Sequence, residues 1–157
     1  MSALTGPYDA RRKEGGLVRY PVAANTEVFK GGLAVLSGGY AQPGADAAGV
    51  IFIGVFAETV NNTAGAVQPG QIAPAPGSPQ LTPAAGAAGA YSVRVEKTGA
   101  FVFNKAGAAQ ADLGKPAFVV DDNTVSTAAT TNNVACGYVT EIVDASHVRV
   151  RIDRSVQ

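Results

Sequence analysis

Among its 157 residues the chain has no tryptophan, one methionine, one cysteine (Cys136) and one histidine (His147), and only 15% of its side chains are charged. A lone cysteine forms no internal disulfide, and one cysteine with one histidine cannot supply a zinc set, so no metal or cofactor is expected. Twelve basic and twelve acidic residues cancel. With no basic excess to track a phosphate backbone, nucleic acid is not an expected partner. No apolar run approaches the ~18 residues that span a bilayer, and the opening MSALTGPYDARRKEGG holds no hydrophobic segment of signal-peptide length. The expectation is a soluble chain made in a cytoplasm, with no membrane partner.

What is present points to sheet. Hydrophobic residues make up 46%, and a chain of this size buries about 68–70% of its unfolded surface, enough for one core. There are 29 Ala, 19 Gly and 9 Pro, small and turn-forming residues that suit thin strands joined by many turns. In SHVRVRID, residues 146–153, Val148, Val150 and Ile152 alternate with His147, Arg149 and Arg151, the period of a half-buried strand. YSVRVEK at 91–97 repeats the device. Further strands are predicted at 17–22, 33–37, 50–60, 100–103, 116–121 and 134–143, each rich in Val, Ile, Phe or Tyr and bounded by turn residues. The predicted fold is mainly β, a sandwich or barrel-like body of short antiparallel strands. VIFIGVFAETV at 50–60 is apolar on both faces, so it should be covered by its own core and by something else. Gly54 within it marks a bulge or a close backbone approach.

Shifting the chain by 83 residues brings Ala34, Val35 and Leu36 onto Ala117, Phe118 and Val119, and IGVFAETV (53–60) onto CGYVTEIV (136–143). Gly54 then meets Gly137, Glu58 meets Glu141 and Val60 meets Val143. Such matches among Gly, Ala and Val leave coincidence and duplication both open; duplication would mean two similar β units packed as one body.

Two stretches lack core-forming pattern. Residues 64–90 hold five of the nine prolines, with Ile72 and Leu81 as their large aliphatic pair. Proline removes donors, so this stretch reads as neither helix nor central strand, but as a linker or an extended arm that orders against a neighbour. Residues 1–16, with Arg11, Arg12 and Lys13 in a row, read as a solvated tail or as a second arm. The domain reading is an N-terminal arm (1–16) and one β-rich domain (17–157) interrupted at 64–90.

Catalytic patterns are missing: there is no GxSxG, HExxH, Walker loop or GxGxxG opening a helix. His147 reads as a rim residue of an exposed strand and Cys136 as a buried, inert thiol. VDDNTV at 120–125 lacks calcium-loop spacing and fits a hairpin turn. No enzymatic activity is expected.

TGAFVF (98–103), GKPAFVVDDNTVST (114–127), CGYVTEIV (136–143) and VRVRID (148–153) together resemble the small head-decoration, or capsid cement, proteins of tailed phages. The similarity covers most of 91–153 and more loosely 17–60; the longer N-terminal arm and the insert at 64–90 depart from shorter members. The resemblance implies a structural protein on the outer surface of a virion capsid that bridges major capsid protein subunits and self-associates, a trimer being favoured over a dimer. On that reading the capsid contacts fall at Tyr8, Arg11, Arg12 and Lys13 in the tail and at Ile72, Pro74, Pro76 and Leu81 in the insert. Phe52, Val55 and Phe56 are assigned to self-association or core. Two rivals stand beside it. An adhesive or carbohydrate-binding β module would want aromatics gathered on one face, and a small β-barrel hydrolase a polar cluster around His147.

Overall fold

A computed structural model describes residues 15–66, 68 and 86–153. Its first half holds β1 (Leu17–Pro21), β2 (Glu27–Val28), β3 (Leu33–Ser37), β4 (Tyr40–Pro43), β5 (Ile51–Phe56), β6 (Val60–Asn61) and β7 (Ser92–Glu96). The second holds β8 (Ala100–Asn104), a 3-10 turn (Gln110–Asp112), β9 (Pro116–Val119), β10 (Val125–Ser126), β11 (Ala135–Asp144) and β12 (His147–Arg151). The strands form two five-stranded antiparallel sheets, ordered β1-β7-β5-β3-β4 and β8-β12-β11-β9-β10, and a two-stranded sheet β2-β6. The architecture is mainly β, as the alternation predicts.

The two large sheets repeat one topology. Leu17 pairs with Glu96 as Ala100 pairs with Arg151, and Tyr20 with Val93 as Phe103 with Val148. Ala34 pairs with Gly54 as Ala117 pairs with Gly137, and both pairings carry a register shift at the same place. The offset is 83 residues from β1 to β8, from β3 to β9 and from Gly54 of β5 to Gly137 of β11, then 55 from β7 to β12 (Ser92 to His147). The drop from 83 to 55 means that the first half carries 28 more residues between its last two strands, where the proline-rich stretch lies. In both halves a parallel bridge joins the two edge strands, Val22 to Ala41 and Asn104 to Thr124, so each sheet curls towards a small barrel with few free edges.

Counterpart residues fill the two interiors. In the first, Ala34, Ile53, Phe56, Val93 and Val95 cluster with Tyr20 and Leu36. In the second, Ala117, Cys136, Val139, Val148 and Val150 cluster with Phe103 and Val119. The apolar strand β5 is covered twice. Ile53 and Phe56 face the first interior, while Phe52 and Val55, with Leu33 and Val35 from β3, lie in the cluster of the second half. The halves are therefore joined by a continuous hydrophobic core.

Local departures from the sequence reading have clear causes. The run 50–60 does not stay one strand: after Phe56 the chain leaves β5, and β6 turns to pair with β2. Val28 and Val60 thereby close the first interior. In the second half β11 continues to Asp144 and turns directly into β12. The base of the insert is held by Asn62, which is fully buried. Its amide donates to the carbonyls of Ala23 and Ala87, both at 2.8 Å, and its side-chain oxygen accepts the Gly86 N–H.

Candidate functional site

Among the described residues, His147 and Cys136, the two side chains weighed for catalysis in the sequence, make local structural contacts. Asp144, Ser146 and His147 sit in the β11–β12 turn, and both Ser146 Oγ (3.1 Å) and the Asp144 carboxylate (2.8 Å) meet the same imidazole nitrogen, Nδ1. A relay needs the hydroxyl on one ring nitrogen and the carboxylate on the other, so this arrangement ties a turn. The Ser146 N–H, the imidazole and the Ser146 hydroxyl hold the Asp144 carboxyl down at about 2. Burial pushes the Cys136 thiol up to about 12, and its Sγ lies 3.3 Å from the Ala117 carbonyl; a thiol kept protonated is a poor nucleophile. Among the described residues no three His, Cys, Asp or Glu side chains gather to hold a metal, and no helix is long and apolar enough to cross a membrane.

One buried ion pair lies under the 3-10 turn. Asp112 receives Lys105 Nζ at 2.9 Å, Lys115 Nζ at 3.1 Å, Thr127 Oγ1 at 2.9 Å and the Ala109 N–H at 3.1 Å. Lys105, the counterpart of Val22, is itself buried. The Lys105 ammonium first, then Thr127, the Ala109 amide and Lys115, hold the Asp112 carboxyl well below the usual carboxylate range. A depressed folded pKa contributes stability that is present above the unfolded value, ~3.9, and is lost as pH falls. The folded state should thus weaken as pH drops past about 4. Asp112→Asn should lose on the order of 3 kcal/mol at neutral pH, because Lys105 then keeps a buried, uncompensated charge, and should show a flatter acid limb. Urea titrations of both proteins from neutral to acid pH read the two effects.

With chemistry so placed, the surfaces are the candidates for function. The residues expected to contact a capsid, Tyr8, Arg11, Arg12 and Lys13 of the tail and Ile72, Pro74, Pro76 and Leu81 of the insert, lie outside the described residues. Their points of attachment are described. At one end of the β1–β7 pair, Gly16 accepts the Lys97 N–H at 2.8 Å. At the other end, Val22 donates to Tyr91 and accepts from Gly89, and Asn25 donates to Gly86. Residues 1–14 and 69–85 therefore attach at opposite ends of β1, ~20 Å apart at strand rise. Phe52, Val55 and Phe56 are each no more than 2% exposed within one chain.

A further surface escaped the sequence reading. Pro116, Phe118, Ala135 and Tyr138 point outward from β9 and β11, paired Phe118 with Ala135 and Pro116 with Tyr138. Pro116 and Ala135 are exposed, and Phe118 and Tyr138 half-exposed. Their counterparts in the first half, Leu33, Val35, Phe52 and Val55, are buried between the halves. The repeat that aligned Val35 with Phe118 held the signal; it did not say which of the two would be covered. Beside this face, a cleft of about 600 Å³ runs between 47–52 and 132–135. It is spanned by Asp46, whose carboxylate accepts the Thr131 and Asn132 N–H groups at 2.9 and 3.0 Å.

No family model, curated protein or solved structure matches this chain.

Proposed function

We propose that this chain is a structural protein of a phage virion that binds the outside of the capsid and bridges neighbouring major capsid protein subunits. The resemblance of its strand words to capsid cement proteins suggests the class. The observation that carries the reading is the placement of the two attachment points on one double-barrel body. A bridging protein needs a stiff centre and contact segments that leave it in different directions. Here residues 1–14 and 69–85 join opposite ends of the β1–β7 pair, while a continuous core holds the halves together. Each contact then raises the effective concentration of the next, so modest individual affinities add to lasting attachment on a lattice.

Cosedimentation with shells assembled from the major capsid protein of the phage that carries this sequence tests the proposal. The full chain should pellet with shells at a saturating stoichiometry. Removing residues 1–14, or replacing 69–85 by a short glycine-serine link, should each weaken binding by at least about tenfold. A full chain that stays in the supernatant at every shell concentration refutes the proposal, and retention on immobilised glycans instead would favour an adhesive module.

A further inference from the structure

We infer that this chain assembles head to tail with further copies of itself, the outer face of β9 and β11 in one copy receiving the β3–β4 turn and the start of β5 of the next.

The inference rests on the interface inside one chain. There the receiving face is the outside of β3 and β5, made by Leu33, Val35, Phe52 and Val55. The entering edge is the β9–β10 turn together with residues 131–134. The Asp122 carbonyl accepts the Leu33 N–H at 2.6 Å, the Asp46 carboxylate takes the amides of Thr131 and Asn132, and Val134 is buried in the shared core.

Duplication makes a second set of both surfaces, and among the described residues neither is filled. The second receiving face is Pro116, Phe118, Ala135 and Tyr138, apolar apart from one hydroxyl and, among the described residues, exposed at Pro116 and Ala135 and half-exposed at Phe118 and Tyr138. The second entering edge is the Gly38–Gly39 turn with residues 48–51, where Ile51 takes the place of Val134 and is 45% exposed. A molecule that carries an unfilled socket on one half and an unfilled plug of the same design on the other propagates from copy to copy, closing into a ring when the rotation allows. The occupant is thus indicated by what fills the equivalent socket within the chain.

The substitutions set the strength. Pro116 has no N–H to offer where Leu33 donates, and Ala129 stands where Asp46 clamps the neighbouring loop. The contact between copies is therefore apolar, weaker than the internal one and concentration-dependent. Gly38 and Gly39 stand where the internal edge carries Asp121 and Asp122, so this turn brings no carboxylates of its own to the contact.

Sedimentation equilibrium of the isolated protein tests this without any capsid, so its failure leaves the shell-binding proposal untouched and the reverse also holds. The wild type should reach masses that are multiples of 15.8 kDa as concentration rises. Phe118→Glu spoils the socket and Ile51→Glu the plug, so each variant alone should be monomeric. Mixed in equal amounts they should form a one-to-one dimer and stop there. Tyr138→Lys and Ala48→Glu repeat the experiment should either of the first pair fail to fold. Three results would overturn the inference: a wild type that stays monomeric throughout, an oligomer indifferent to both changes, or one broken by Phe118→Glu and not by Ile51→Glu, which is a face-to-face contact.

Discussion

Gly54→Ala is expected to cost at least ~4 kcal/mol, close to the whole stability of a domain whose total is about 5–15 kcal/mol. Gly54 has φ +135°, where an L side chain is strained by about 1–3 kcal/mol. Strain is the smaller part. A methyl group there would overlap the Glu96 carbonyl oxygen and stand 2.8 Å from Val95 Cγ1. The Glu96 carbonyl is backbone of the paired strand and cannot move away without parting β5 from β7. Gly137, the counterpart residue, has φ +150° and would meet the Arg151 carbonyl and Val150 in the same way, so Gly137→Ala should fail equally. Gly38→Ala and Gly49→Ala, at φ +55° and +74° but opening onto free space, carry only the backbone strain and should cost about 1–2 kcal/mol. Urea unfolding of the four variants separates the two classes. A Gly54 variant within about 1 kcal/mol of wild type would contradict the close approach of β5 to β7.

The second large effect is expected at Phe52. Truncation to alanine removes a ring that is 2% exposed and lies in the core linking the halves. Burying a phenylalanine and then emptying the site typically costs 3–5 kcal/mol, the transfer and cavity contributions together. The cost should appear in both halves at once, because Leu33, Val35, Phe52 and Val55 pack with Val134, Val139 and Ile152 in one cluster. Calorimetry should show a single transition moved to lower temperature. Phe118→Ala, on the open face of the isolated chain, should shift stability by about 0.5 kcal/mol or less. Two separate transitions in the wild type, or a Phe52 variant as stable as Phe118→Ala, would contradict a core shared by both halves.

Much of the fold was legible because sheet structure writes itself in a period of two. SVRVE at 92–96 and HVRVR at 147–151 alternate without exception, and both are strands of that length. Two-residue strands such as β2, β6 and β10 carry no period, and they form because longer strands leave a place for them. The break after Phe56 was equally silent: FAETV continues the apolar composition of β5, and the chain leaves the strand to bring Val60 beside Val28. Lys105 and Asp112 are ordinary charged residues in sequence. Only the 3-10 turn and the return of Thr127 bring them together in a buried pair.

Alternation and turn residues were enough to determine that this protein is built of short antiparallel strands; the 83-residue echo left duplication open, and the matching pairs Ala34–Gly54 and Ala117–Gly137 made those glycines equivalent points of two similar units. Whether the outer face of a unit is covered lay beyond the sequence, since Val35 and Phe118 are both apolar at matching positions. Packing decided it: the connection at 97–99 lets the second half cover the first, and among the described residues there is no third unit to cover the second. Periodicity records which side chains share a face; the surface that meets that face is chosen by contacts between residues far apart in the chain.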